Sequence, residues 1–211
     1  MAGKYYIEAL FYEGGVKMRH VVVTISRGYG SGGRYIGKLL AKKLGIGFYD
    51  RELISLVADD DDDELFLNKD ESVYFSLAEQ GGDIGFVSDD KLYNSQAAII
   101  REIAERESCV IVGRCADYIL RDMEHVVKIF IYSSLKNCMK RVMRLYELNP
   151  DEAKQAILLK DRSRSSYYEH YTGQKWNVAS NYDLSINSGI LDSEKCVALI
   201  EQYLDIRLRE K

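Results

Sequence analysis

The 211-residue sequence has one proline, three histidines and four cysteines, none of which form a C-x-x-C pair. That absence argues against structural zinc sites and disulfides, and predicts reduced thiols at Cys109, Cys115, Cys138 and Cys196. The chain also lacks an apolar run of the roughly 18 residues that a membrane helix needs, and it lacks a signal-peptide core. We therefore expect a cytoplasmic protein without a membrane partner.

Basic residues are not in excess, since 29 Lys and Arg against 33 Asp and Glu give a net charge of −4. A large nucleic-acid surface normally shows a basic excess, so this balance argues against a nucleic-acid partner and favours a small molecule. With 46% hydrophobic residues, the chain can bury a proper core. We expect residues 18–211 to form a single domain, preceded by an N-terminal extension at 1–17 whose role the sequence leaves open.

Five apolar or β-branched segments, bounded by turn or polar residues, predict strands at 20–25, 47–49, 108–112, 126–132 and 182–186. Amphipathic segments predict helices at 35–44, 51–58, 95–106, 135–146, 151–164 and 193–208. Strands alternating with helices form right-handed crossovers and a parallel sheet, which binds ligands at the carboxyl ends of its strands. The loops 28–33, 113–117 and 187–189 are therefore expected to share one site.

The segment at about 59–94 interrupts this alternation. It begins with an acidic run, for which a solvated loop is the simplest interpretation because crowded like charges resist packing. Scattered aromatic residues and a Gly-Gly pair follow, so we interpret the segment as a small acceptor-binding insertion. Pro150, the single proline, precedes an acidic pair and predicts a helix N-terminus.

A glycine-rich turn follows the first predicted strand. Glycines let the backbone direct its N–H groups inward, and the next helix adds the positive end of its dipole, which makes an anion cradle. The spacing fits the pattern G-x-x-x-x-G-K-[ST], except that Arg34 replaces the lysine and Tyr35 the hydroxyl residue. A tight connection without a ligand is the alternative. The residues predicted to bind phosphate at this cradle are Gly28, Gly30, Ser31, Gly32, Gly33, Arg34 and Tyr35.

Arginines are the next signal, because phosphoryl transfer needs cations aimed at the transferring group. Arg114 follows an apolar strand and Gly113, which predicts a phosphate contact at the sheet edge, with a surface salt bridge as the alternative. A basic cluster at 160–164 runs into a tyrosine-rich stretch at 167–176. This combination predicts a lid at about 151–177 whose arginines reach the phosphates. The alternative is a basic helix end that complements its own dipole.

Residues 25–54, 109–120, 127–145 and 160–188 together resemble the cytidylate kinase-like family, relatives of the P-loop nucleoside monophosphate kinases. The most specific parts are the Ser-Arg-Gly-Tyr-Gly-Ser-Gly-Gly-Arg turn, the Val-Gly-Arg-Cys-Ala-Asp strand end and the Tyr-Tyr-x-x-Tyr-Thr-Gly stretch. The resemblance implies a three-layer α/β P-loop NTPase-like fold: a five-stranded parallel sheet with flanking helices, a small acceptor-binding insertion and a helical lid. It also implies the use of ATP with Mg²⁺.

The resemblance further implies roles for individual residues. The catalytic cations that it implies are Arg34, Arg114, Arg162 and Arg164. The acceptor-binding residues that it implies are Asp50, Arg101, Arg114, Asp117, Asp161 and Arg164. The family's Asp-Gly-Arg-Asp motif reads Val-Gly-Arg-Cys here, so cytosine specificity does not carry over, and Asp117 is the candidate to replace part of it. No metal ligand is assigned. Because the pattern's hydroxyl residue is missing, Ser31 or water is the alternative ligand for Mg²⁺.

The expected function is therefore that of an ATP-dependent phosphotransferase, most directly a kinase of nucleoside monophosphates. Two alternatives stay open at this point. The replacements at Arg34 and Tyr35 favour a nucleotide- or phosphate-binding sensor that no longer catalyses transfer. A kinase of a non-nucleotide small metabolite is the other, because a fold does not fix the substrate.

Overall fold

The computed structural model describes residues 20–51, 54 and 90–209. Five parallel strands form one sheet in the order β2-β3-β1-β4-β5. The strands are β1 Val22–Arg27, β2 Gly47–Tyr49, β3 Cys109–Val112, β4 Val126–Tyr132 and β5 Leu184–Asn187. The five predicted strands are confirmed, with ends that shift by two residues at most.

Helices flank the sheet, as expected. Within the described ranges they are α1 Gly33–Leu44, α2 Asp90–Arg106, α3 Ala116–Ile119, α4 Leu135–Tyr146, α5 Pro150–Thr172 and α6 Ser193–Arg209. The four-residue helix α3 was not predicted, because one turn is too short to show a helical period. The helix expected at 51–58 and nearly all of the insertion at about 59–94 lie outside the described residues, as does the extension at 1–17.

The sheet is buried on both faces, which explains the nearly continuous apolar runs of its central strands. Val23 and Ile25 of β1 pack with α1 and α6 in one core layer. Val22, one position along the strand, packs with α2 and α3 in the other. Successive side chains of a strand point to opposite faces, so this division confirms the three-layer architecture.

Helix α5 begins where the sequence predicts. Asn149 accepts hydrogen bonds from the backbone of Glu152, and Glu152 accepts one from the backbone of Asn149, so a capping box surrounds Pro150. The expected end at residue 164 is wrong, because the helix continues to Thr172 and stops at Gly173, whose φ of 67° is left-handed. Burial of Tyr168 in the core overrides the weak helix propensity of the serine- and tyrosine-rich segment.

All four cysteines are free and buried, as predicted. Burial raises the pKa of the Cys109 thiol to about 12, which leaves it protonated and unreactive. Among the described helices, none combines the length and the apolar character needed to cross a bilayer.

Candidate functional site

The glycine-rich turn closes the space between β1 and α1. Gly30 has a φ of 74° and Gly32 a φ of 84°, both in the left-handed region that favours glycine. A Cβ on Gly30 would lie 2.9 Å from Val142 Cγ2 and 3.0 Å from the carbonyl oxygen of Cys138. Since α1 begins directly at Gly33, its first amides open onto the turn. The loop therefore has the backbone form of an anion cradle.

Three other elements hold this phosphate loop, residues 28–33, in place. The Tyr29 amide donates to Asp161 Oδ1 of α5 at 2.7 Å. The Ser188 hydroxyl, just after β5, donates to the Ser31 carbonyl at 2.6 Å, and Arg141 of α4 donates to the Gly30 carbonyl. The loop thus has a fixed shape without a ligand, which lowers the cost of ordering it on binding.

The turn after β3 contains three successive left-handed residues: Gly113 at a φ of 84°, Arg114 at 57° and Cys115 at 55°. Residues other than glycine held in this region cost about 1–3 kcal/mol each, and such strain clusters at functional sites. The Arg114 guanidinium lies 5.6 Å from the centre of the Tyr167 ring of α5. The strained turn therefore presents Arg114 at the carboxyl edge, on the side of α5.

Four arginines from four segments gather at this edge. Arg27 ends β1, Arg34 lies in α1, Arg114 follows β3 and Arg164 lies in α5. Burial, and the positive charges of Arg164 and Arg114, lower the pKa of Arg27. Groups of like charge held together favour a ligand of opposite charge, so the site suits a polyanion.

Asp50 is the acid that acts on this arginine cluster from the end of β2. Its Oδ2 accepts from Arg34 Nε at 2.7 Å and lies 2.6 Å from Arg34 Nη2. The Asp50 side chain is 5% exposed, whereas that of Arg34 is 60% exposed. Arg34, which stands at the pattern's lysine position, thus pairs with Asp50, a residue that is expected to bind the acceptor.

Asp161 and Arg164 of α5 contact the backbone around the start of the phosphate loop, and the acceptor contacts expected for them stay predictions. Asp161 accepts from the Tyr29 amide, and Arg164 Nη1 donates to the Arg27 carbonyl at 3.2 Å. The guanidinium and the carboxylate lie 3.7 Å apart. Helix α5 is therefore held against the last residue of β1, Arg27, and against Tyr29 of the loop.

Arg162 and Arg101 occupy a different setting. Arg162 is an exposed residue of α5, next to Asp161. Arg101 is exposed on α2, and its positive charge acts on Tyr93, whose pKa burial raises to about 12. The contacts assigned to them, of Arg162 with the transferring phosphate and of Arg101 with the acceptor, stay predictions.

Asp117 is 3% exposed. Its Oδ1 accepts from the Ser26 hydroxyl at 3.3 Å and its Oδ2 from the Tyr168 hydroxyl at 2.7 Å. Burial raises the pKa of Asp117, and the two hydrogen bonds oppose that rise. The carboxylate therefore joins β1 to α5, and the acceptor contact expected for it stays a prediction.

Replacing Tyr168 with phenylalanine is expected to lower the free energy of unfolding by about 1–3 kcal/mol, because the buried carboxylate of Asp117 loses a hydrogen-bond donor. Urea unfolding measures this change. Tyr203→Phe is the matched control, since the Tyr203 hydroxyl has no hydrogen bond within the described ranges, and should cost less than about 0.5 kcal/mol. Equal costs for the two variants would contradict a structural bond at Asp117.

Among the described residues around the phosphate loop, we find no cage of protein ligands for Mg²⁺. Tyr35, at the position of the pattern's hydroxyl residue, is 56% exposed. The Ser31 hydroxyl accepts a hydrogen bond from the Gly33 amide at 3.3 Å. In the part of the chain that the structure describes, no three His, Cys, Asp or Glu residues cluster as metal ligands. Magnesium fits here only as an ion carried by nucleotide phosphates, with water completing its shell.

The sequence analysis assigned no role to Arg27, Arg141, Ser188 or Tyr168. Arg27 lies in the Ser-Arg-Gly turn and Tyr168 in the Tyr-Tyr-x-x-Tyr-Thr-Gly stretch, and these motifs are the signals that pointed to the two residues. Arg141 and Ser188 contact the loop through tertiary packing over more than 100 residues of sequence, which no local pattern shows.

Comparison with known proteins agrees with this geometry. The cytidylate kinase-like family matches residues 22–190. A cytidylate kinase of Archaeoglobus fulgidus is 27% identical over 191 residues, covering 88% of this chain and 95% of the relative. The crystal structure of an uncharacterized protein from Eubacterium ventriosum superimposes with a TM-score of 0.72 and 29% identity, covering 88% of this chain and 99% of that one.

A more distant structural neighbour shows the fold alone. The shikimate kinase of Bacteroides thetaiotaomicron has a TM-score of 0.52 at 19% identity, covering 88% of this chain and 98% of its own. The chain therefore shares its three-layer arrangement around a parallel sheet with that shikimate kinase.

Proposed function

The chain belongs to the cytidylate kinase-like family, and from that premise we propose that it is an ATP-dependent phosphotransferase whose acceptor is a nucleoside monophosphate. One observation carries the proposal: a preformed glycine loop and four arginines from separate segments meet at the carboxyl edge of the sheet. Cations fixed around a transferring phosphoryl group are the main requirement of this chemistry.

In the proposed reaction, an oxygen of the acceptor phosphate forms a bond to the γ-phosphorus of ATP. The bond between that phosphorus and the β–γ bridging oxygen breaks, and its electron pair leaves with ADP. The loop amides and α1 hold the donor phosphates, while Arg114 and Arg164 face the oxygens on which charge develops. Because hydrogen bonds hold α5 against the loop, the helix limits the access of water to the γ-phosphoryl group.

The acceptor proposed first is cytidylate, the substrate named for the Archaeoglobus relative. Asp50 and the adjacent Arg34 lie at the end of β2, on the side expected for the acceptor. The Val-Gly-Arg-Cys sequence after β3 lacks the two acids of the cytidylate kinase pattern. We therefore expect discrimination among pyrimidine bases to be weaker here than an acidic contact would give.

A coupled assay of ADP release tests the function. ATP is supplied with Mg²⁺ and with CMP, dCMP, UMP, AMP and GMP in turn, and shikimate represents the non-nucleotide acceptors. Stimulation of ADP release by a nucleoside monophosphate supports the proposal. Stimulation by shikimate alone would replace it with a metabolite kinase, and no stimulation by any acceptor would overturn the kinase assignment.

A second function is favoured by the two replacements in the phosphate pattern, Arg34 and Tyr35. A nucleotide- or phosphate-binding sensor would keep the preformed loop and the arginines while losing transfer. Calorimetry with ATP, with and without Mg²⁺, separates the two functions when it is read beside the ADP assay. Binding without turnover supports the sensor, and binding with acceptor-dependent turnover supports the kinase.

A further inference from the structure

Arg27 belongs to the Ser-Arg-Gly turn, but the pattern G-x-x-x-x-G-K-[ST] begins after it and gives it no role. It is the last residue of β1 and directly precedes the phosphate loop. A Cβ on Gly33 would lie 2.6 Å from Arg27 Cβ, and one on Gly113 would collide with Arg27 Nη1 and lie 3.2 Å from its Cζ. The side chain thus runs past the first residue of α1 to the turn after β3, and two glycines make room for it.

The guanidinium of Arg27 has repulsive surroundings. Arg164, Arg114 and Arg34 act on it as positive charges. Asp50 and Asp161 act on it as negative charges, and Asp161 lies 3.7 Å from Arg164. Asp50 already pairs with Arg34. Across residues 20–51, 54 and 90–209, no hydrogen bond from the Arg27 guanidinium to an acceptor is found. Arginine carries five N–H donors and stays charged, so this arrangement favours an anion as the missing acceptor.

Arg34, which stands at the pattern's lysine position, is placed differently. Its guanidinium bonds to Asp50 and most of its side chain is exposed. Arg27 instead lies between the phosphate loop and Gly113, at the centre of the four-arginine cluster. The two arginines therefore lie at different places on the carboxyl edge of the sheet. Arg34 lies toward the end of β2, and Arg27 lies at the phosphate loop.

We infer that Arg27 is the phosphate-binding cation of the loop. It has the role that the pattern gives to a lysine, although it lies at the opposite end of the turn. Its N–H groups bind oxygens of the donor's β- and γ-phosphates, and the planar fork suits two of them at once. Arg34 has a separate role through Asp50 on the acceptor side. The inference rests on the proposed function, because the polyphosphate it binds is that of the phosphoryl donor.

The test compares Arg27→Gln, Arg27→Lys, Arg34→Gln and the exposed control Arg121→Gln, which lies beyond α3 over the Tyr118 ring. Calorimetry measures the Kd of a non-hydrolysable ATP analogue and of inorganic tripolyphosphate, and melting of the ligand-free protein gives Tm. Arg27→Gln is expected to weaken both ligands about 10- to 100-fold, with Arg27→Lys in between. Arg121→Gln should match the wild type.

The melting temperature separates binding from a structural role. Because Arg27→Gln removes a repelled charge, Tm of the ligand-free protein should stay the same or rise. A lower Tm with unchanged affinity for both ligands would overturn the inference, as would a larger loss of affinity in Arg34→Gln than in Arg27→Gln.

The two proposals fail in distinguishable ways. If the wild type transfers phosphate and Arg27→Gln binds the analogue normally, the inference fails while the kinase function stands. If the wild type binds tripolyphosphate through Arg27 but transfers nothing to any acceptor, the function fails while the phosphate-binding role of Arg27 stands. Absence of binding of both ligands to the wild type would overturn both.

Discussion

Arg114→Ala is expected to lower kcat/KM for phosphoryl transfer by about 100- to 1,000-fold, the loss typical when one fixed donor to a developing charge is removed. Arg114 is held in a left-handed conformation at the carboxyl edge, within reach of the Tyr167 ring. The loss should lie mainly in activity, because Arg114 is only partly buried and loss of its contact with the Tyr167 ring should lower the free energy of unfolding by about 1 kcal/mol at most. Steady-state kinetics by ADP release, beside urea unfolding, measures both.

Two further variants sharpen this prediction. Arg114→Lys keeps the charge and loses the planar fork, so it should fall between the wild type and Arg114→Ala. Arg144→Ala removes an exposed arginine of α4 and should leave both activity and unfolding unchanged. Equal activity of Arg114→Ala and Arg144→Ala would show that Arg114 makes a surface salt bridge and does not act on phosphate.

Gly30→Ala is expected to abolish nucleotide binding and to lower the free energy of unfolding by about 2–5 kcal/mol, combining backbone strain with overpacking. The φ of 74° disfavours any Cβ, and the new methyl group would stand within 3.0 Å of Val142 and Cys138 of α4. To relieve the clash, the loop must move away from α4. Calorimetry with an ATP analogue and urea unfolding measure the two effects.

Gly173→Ala is the matched control for Gly30→Ala. Gly173 has a φ of 67°, but a Cβ there would meet nothing within 4 Å. It should therefore show the conformational strain alone, about 1 kcal/mol, with unchanged nucleotide affinity. Comparable losses of stability in the two variants would contradict the tight packing of the phosphate loop against α4.

Much of the fold could be predicted from the sequence because local patterns carry it. The β-branched runs marked five strands, and their alternation with helices fixed a parallel sheet with a ligand edge. The Asn149–Glu152 capping box around Pro150 is equally local. The end of α5 is not local, since it depends on Tyr168 reaching Asp117 across 51 residues of sequence.

For the candidate site, too, local sequence patterns predicted some features, and contacts between distant residues determined the others. The glycine loop and Arg114 were predicted because a strand end places them at the edge. The pairing of Arg34 with Asp50 and the engagement of Asp161 and Arg164 by the loop backbone depend on side-chain direction, which the motif does not encode. Arg27 was assigned no role because the pattern begins at the glycine that follows it.

The central claim, that an arginine-lined phosphate loop still transfers a phosphoryl group, is tested most directly with ATP labelled by radioactive phosphorus in its γ-phosphoryl group. After incubation with CMP and Mg²⁺, the nucleotides are separated by chromatography. We expect label in a nucleoside diphosphate product with the wild type, and a near-complete loss of that labelled product with Arg114→Ala. Label that stays in ATP or appears only as inorganic phosphate, with CMP and with every other nucleoside monophosphate, would contradict it.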